Sequence, residues 1–187
     1  ADGAVRVAFT LAADEASMKL WPNSFDLRLV FTVGKSLGIE MEVRAGGSPF
    51  SFEEAFHTYL LVGDVRQISI DGLQNAEYLD KVDSQKRKIQ PPELLRIGGE
   101  TDRVYLHTHS TCVIRDPVLE RTLSVEKESS GSTVVWNPWI NKARAMPDFG
   151  DEEWPQMLCV ETANVADGAV RLDGGQTHRM RAHIRCG

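Results

Sequence analysis

His57 lies in "PFSFEEAFHTYLLVGDV", residues 49–65, a stretch that is otherwise apolar and β-prone. With period 2, His57, Tyr59 and Leu61 point one way and Phe56, Thr58 and Leu60 the other. Apolar residues on both parities predict a strand covered on both faces, where an unpaired polar group costs about 1–3 kcal/mol. Two readings fit: a histidine satisfied by hydrogen bonds in the core or at its rim, or a proton donor, since imidazole titrates near neutrality. Glu161 poses the complementary question. "MLCVETANV", residues 157–165, puts Met157, Cys159 and Glu161 on one strand face. A carboxylate desolvated there has a raised pKa and becomes a better base near neutral pH; at a sheet rim it is simply solvated.

Asp102 opens the strand pattern "TDRVYL" beside Arg103. It is either a turn cap or ion-pair partner, or an acceptor for sugar hydroxyls at a sheet rim. In "VVWNPW", Trp136 offers an indole that packs in a core or stacks on a pyranose, and Asn137 an amide that both donates and accepts. His107 and His109 share a face in "HTH", half of a metal site with no third ligand in view. Asp64 and Asp148 stand at turns and read as caps.

These residues must be carried by strands. "AVRVAFTL" alternates, as does "FDLRLVFTV", with Phe25, Leu27, Leu29 and Phe31 on one face. "LGIEMEVRA" sets Ile39, Met41 and Val43 against Glu40, Glu42 and Arg44, so each strand has one wet side. Residues 34–37 read as the hairpin turn between the last two, Asp71-Gly72 and Asp116-Pro117 as further turns. "NAEYLDKVDSQKRKIQPPE" reads as a surface excursion and "NKARAMPDFGDEEWP" as a short helix or loop. The Arg- and His-rich "GQTHRMRAHIR" reads as a last edge strand. The total, about eleven short strands with little helix, is the signature of an all-β antiparallel sandwich, a single domain over residues 1–187.

Composition narrows the function. A net charge of −6 gives no support for nucleic-acid or anionic-membrane binding, and no apolar run is long enough to span a bilayer. Three scattered cysteines with no C-x-x-C argue for a reducing compartment, so a cytoplasmic location is expected. G-x-G-x-x-G after a strand, a P-loop, G-x-S-x-G and H-E-x-x-H are all missing, which disfavours nucleotide-dependent and zincin chemistry.

Taken in order, "EEAFHTYLLVGDV", "YLDKV", "TDRVYL", "VVWNPW", "MPDFGDEEW" and "LCVETANV" strongly resemble the hexose-6-phosphate mutarotases, the glucose-6-phosphate 1-epimerase branch of the aldose 1-epimerase superfamily. The resemblance runs from about Ala1 to Val165. It implies a large antiparallel β-sandwich and cofactor-free, metal-free interconversion of the α and β anomers of a hexose 6-phosphate. It implies His57 as general acid, Glu161 as general base and Asp102 as a sugar-binding residue, with Trp136 and Asn137 near the site. The expected partner is a small-molecule sugar phosphate, with no nucleic acid and no membrane, and a monomer is expected. Family members are longer and begin with an arginine-bearing segment that holds the phosphate. This chain is therefore expected to be a C-terminal portion lacking N-terminal strands. The alternative is a non-catalytic carbohydrate-binding sandwich.

Overall fold

The computed structural model describes residues 3–187. In chain order the elements are β1 (Val5–Ala12), α1 (Glu15–Leu20), β2 (Phe25–Val33), β3 (Ser36–Ala45), β4 (Phe50–Phe52), β5 (Glu54–Phe56), β6 (Tyr59–Leu61), β7 (Ser69–Asp71), β8 (Glu77–Asp80), β9 (Lys86–Ile89), β10 (Thr101–Leu106), β11 (Cys112–Asp116), β12 (Arg121–Glu128), β13 (Ser132–Asn137), α2 (Trp139–Ala145), β14 (Met157–Asn164), β15 (Val170–Leu172) and β16 (Thr177–Cys186). All strand pairs are antiparallel. Sheet I runs β1-β2-β3-β16-β12-β11-β7, and sheet II runs β5-β14-β13-β10-β8-β9, with β6 also pairing β14.

The sheets face each other across one apolar layer. Ile70, Ile114, Val125 and Ile184 of sheet I meet Tyr105, Val135, Leu158 and Val160 of sheet II. Burying each such side chain contributes about 1.5–3 kcal/mol. Period 2 sends the other parity of sheet II outward. There Val104, Val134, Trp136, Met157 and Cys159 form a second, smaller cluster on the face turned away from sheet I. The functional question concerns that outer face.

Several expectations hold and several need correction. The alternation in β2 and β3 translates into a hairpin closed by residues 34–35. Gly72 supplies the positive φ (+99°) of the Asp71-Gly72 turn. The stretch around His57 is not one strand covered on both faces. It is two three-residue strands separated by His57 and Thr58, and Tyr59 and Leu61 are exposed. Phe56 O accepts a hydrogen bond from Thr58 N at 2.8 Å, a tight local turn between the two strands. The surface excursion contains the β8–β9 hairpin. The Arg-rich final strand is not at an edge: β16 lies between β3 and β12. Its outward residues are neutralised across the sheet, Arg181 by Glu40 and Glu128, Arg179 by Glu42 and Arg185 by Glu126. A strand rich in charge is therefore central because its neighbours carry the opposite charges at matching register. β1 ends sheet I on that side, and its Val5, Val7, Phe9 and Leu11 are exposed.

Candidate active site

The geometry starts from register. Phe56 pairs with Thr162, and Tyr59 pairs with Cys159. Both pairs belong to one continuous antiparallel register, so the unpaired residue His57 falls directly opposite Glu161. Facing residues of this kind bring their Cβ atoms to about 5 Å. The side chains complete the approach: His57 Nε2 is 3.5 Å from Glu161 Oε1. Two residues 104 positions apart thus stand side by side, because the ladder is interrupted at one of them and unbroken at the other.

The remaining residues follow the same rows. Glu161 aligns with Val134, Val134 with Val104, and Val104 with Leu79. The next row on that face runs Tyr59, Cys159, Trp136, Asp102. These rows floor a cavity of about 320 Å³ lined by His57, Lys81, Asp102, Trp136 and Glu161 among others. That size suits a small ligand. A larger depression, about 540 Å³, lies over the Arg–Glu pairs of sheet I; it has no Phe, Tyr or Trp among its described lining residues, and its His183–Glu126 pair, 3.6 Å apart, has a partly exposed carboxylate already paired with Arg185.

His57 is held from three sides. The Tyr59 ring stacks on it at 5.0 Å and 15°, Trp136 meets it edge-on at 5.5 Å and 79°, and Cys159 Sγ lies 3.6 Å from Nδ1. Its side chain is 52% exposed, against 5% for Glu161. The pair therefore combines a solvent-facing imidazole with a desolvated carboxylate. Burial pushes the Glu161 carboxyl up to about 7; Lys81 opposes the rise and Asp102 adds to it. A carboxyl half-ionised near neutrality is suited to taking and returning a proton.

Four of the five predicted residues, His57, Asp102, Trp136 and Glu161, line this one cavity. Asn137 does not. It is fully buried on the opposite parity of β13, its Nδ2 donating to the carbonyls of Trp154 (2.8 Å) and Met157 (2.7 Å) and its Oδ1 accepting from Trp139 N (2.9 Å). Its amide thus ties the start of α2 to the start of β14. Alternation along "VVWNPW" carries the signal, since Trp136 and Asn137 cannot share a face. Tyr59 and Lys81 were not singled out from the sequence. Tyr59 shares the parity of His57, and Lys81 follows Leu79 by two residues in "YLDKV". As for the turns, Asp64 Oδ1 accepts from Arg66 N at 3.0 Å, the arrangement of a cap.

His57, Cys159 and Glu161 bring three ligand-type atoms within 4.8 Å of one another. Burial raises the Cys159 thiol well above its ordinary pKa, which opposes the thiolate that a zinc-type ion requires. The donor set is better suited to an imidazole–carboxylate pair resting on a neutral thiol. Among the described residues, no helix is long and apolar enough to cross a membrane.

Comparison with known proteins agrees with this picture. The family model for aldose 1-epimerase matches residues 2–185. A protein of Cenchrus ciliaris named "Putative glucose-6-phosphate 1-epimerase" is 38% identical over 180 residues, covering 94% of this chain and 54% of its own length. A protein of Salmonella typhimurium with the same name is 34% identical over 161 residues, covering 86% of this chain and 53% of its own. The chain thus spans about half the length of these curated relatives. A crystal structure from Salmonella typhimurium, described as a "putative mutarotase (YeaD)", superposes with a TM-score of 0.92 at 32% identity over all of this chain and 62% of its own. Galactose 1-epimerase from Lactobacillus acidophilus, at 14% identity and a TM-score of 0.73, shares the fold. The antiparallel sandwich and the match along nearly its whole length make this chain a member of the aldose 1-epimerase family.

Proposed function

We propose that the protein to which this chain belongs interconverts the α and β anomers of a hexose 6-phosphate, glucose 6-phosphate foremost. The observation that carries this reading is the His57–Glu161 contact, 3.5 Å between Nε2 and Oε1, at the floor of an open cavity. The names of the relatives support the choice of substrate.

Anomerisation needs one group to accept a proton and one to donate. The two substrate oxygens involved, the C1 hydroxyl and the ring oxygen, are both bonded to C1. An acid and a base that serve them must therefore stand side by side, as His57 and Glu161 do, rather than at opposite ends of the sugar. Glu161 takes the proton of the C1 hydroxyl while His57 gives one to the ring oxygen. The C1–O5 bond breaks and leaves an aldehyde and a C5 hydroxyl. After rotation about C1–C2, the C5 hydroxyl attacks the other face of the aldehyde. His57 recovers its proton and Glu161 returns the one it took, so no net proton is consumed. Asp102 accepts hydrogen bonds from sugar hydroxyls, and Trp136 offers the apolar wall. Three unpaired cysteines fit a reducing compartment such as the cytoplasm.

Two-dimensional exchange NMR of glucose 6-phosphate with the full-length protein tests this reading. Cross-peaks between anomers growing faster than in buffer support it. Saturable sugar binding with exchange at the buffer rate would instead select a carbohydrate-binding sandwich without turnover.

A further inference from the structure

The geometry points to Cys159 as a positioning residue for anomer exchange: its thiol holds Nδ1 of His57 in each protonation state of the ring and so keeps Nε2 aimed at Glu161 and the sugar. The inference rests on the proposed function and names the residue that orients its acid.

The contact follows from the ladder. His57 stands opposite Glu161, and Cys159, two residues earlier on the same face of β14, is its diagonal neighbour, within reach of an aromatic side chain. Sγ lies 3.6 Å from Nδ1 and, among the described residues, is the hydrogen-bonding partner of that nitrogen. Cys159 is fully buried in a cluster with Val134, Trp136 and Met157. The apolar cluster holds the sulfur in place, and the sulfur holds the ring.

The aromatic neighbours cannot do this alone. Tyr59 stacks on the imidazole and Trp136 meets it edge-on, which fixes the plane of the ring. A half-turn about Cβ–Cγ leaves that plane unchanged but exchanges Nδ1 with Cδ2 and Nε2 with Cε1. A carbon would then face Glu161, and no proton could pass to the ring oxygen. Polar partners separate the two arrangements. Glu161 is one, but it turns to the C1 hydroxyl during the reaction, whereas Cys159 stays at Nδ1.

A thiol also suits a nitrogen whose role reverses. In the free protein the neutral ring faces the ionised Glu161, so its proton is drawn to Nε2 and the bare Nδ1 accepts from S–H. The ring that acts as acid carries both protons, and Nδ1–H then donates to Sγ. After Nε2 gives its proton to the ring oxygen, the neutral ring keeps its proton on Nδ1, still bonded to sulfur. A thiol can donate and accept in turn, whereas a carbonyl or carboxylate at this place would only accept. Burial keeps the thiol protonated, so its own proton stays on sulfur throughout.

The test uses the full-length protein with 15N-labelled histidine and two variants, Cys159→Ala and Cys159→Ser. At alkaline pH, with the imidazole neutral, wild-type His57 is expected to show a protonated Nε2 and a bare, hydrogen-bonded Nδ1. Cys159→Ala is expected to move the Nδ1 resonance to that of a bare nitrogen without a donor and to lower kcat for anomer exchange about 5–10-fold, the effect of one neutral hydrogen bond, with KM for glucose 6-phosphate within about twofold. Cys159→Ser supplies a hydroxyl that donates and accepts, and is expected to restore the Nδ1 signal and most of kcat. A wild-type Nδ1 with no hydrogen bond overturns the inference whether or not the variants fold. So does Cys159→Ala exchanging at the wild-type rate, or Cys159→Ser as slow as Cys159→Ala, which would leave the residue a packing role alone. A wild type that does not accelerate exchange refutes the mutarotase reading, and the Nδ1 resonances still decide whether the thiol holds the ring.

Discussion

His57 and Glu161 face each other across an antiparallel ladder that is broken on one side only. β14 runs uninterrupted through Glu161, whereas β5 ends at Phe56 and β6 begins at Tyr59. The break turns the imidazole toward solvent, and the intact strand keeps the carboxylate at 5% exposure, 3.5 Å away. The different environments of the two groups originate in that asymmetry.

The carboxyl of Glu161 sits near pH 7 instead of its ordinary 4.5. A base must be ionised to act, so kcat/KM for anomer exchange should fall about tenfold per unit as pH drops below roughly 7. The acidic limb of the pH–rate profile checks this. A midpoint near 4.5 would mean that Glu161 is solvated in the working enzyme or is not the base.

The same shift has a cost in stability. Between pH 4.5 and about 7 the folded state holds a proton that the unfolded state has lost, so this group's contribution falls as pH rises through that window, and the penalty is complete above it. Glu161→Gln should therefore stabilise the fold at pH 8 by on the order of 2–3 kcal/mol and leave it nearly unchanged at pH 4. Urea denaturation at the two pH values measures the difference. Equal effects at both would contradict the desolvated carboxylate.

Asn137 predicts a different kind of loss. Asn137→Ala removes three hydrogen bonds and leaves the carbonyls of Trp154 and Met157 and the amide of Trp139 to find other partners. A destabilisation of about 3 kcal/mol is expected, which lowers Tm by roughly 6–12 °C in a chain of this size. Thermal unfolding followed by circular dichroism reads it. A variant with unchanged Tm but weakened sugar binding would return Asn137 to the substrate.

Much of the fold was legible because alternation is local. Leu27, Leu29 and Phe31 against Arg28 and Thr32 declare a half-buried strand without reference to any neighbour. What the alternation could not supply is partnership. The charge on β16 reads as an edge until Glu40, Glu42, Glu126 and Glu128 are seen opposite it. The apolar run around His57 reads as one strand because nothing within it shows that Thr58 turns back to Phe56 O. Asn137 was placed near the sugar by its adjacency to Trp136, although strand parity separates the two. Lys81 escaped notice within a charged stretch that looked like surface, because its place in the cavity lining depends on the Arg103–Asp80 register.

The thiols report on the cavity floor independently of any sugar. Burial pushes Cys112 up to about 11 and Cys159 further, while Cys186 is exposed. Brief alkylation of the native protein should label Cys186, with Cys112 and Cys159 reacting at least about 100-fold more slowly. Peptide mass spectrometry resolves the three. Rapid labelling of Cys159 would show that the floor beneath His57 opens in solution.

The central claim is that His57 and Glu161 move protons at one anomeric carbon, and the most direct measurement is anomer exchange by NMR in the full-length protein carrying Glu161→Gln or His57→Asn, with glucose 6-phosphate binding measured alongside. The account predicts that each variant still binds the sugar phosphate and that exchange slows by about 100-fold or more. Exchange at the wild-type rate in either variant would contradict it.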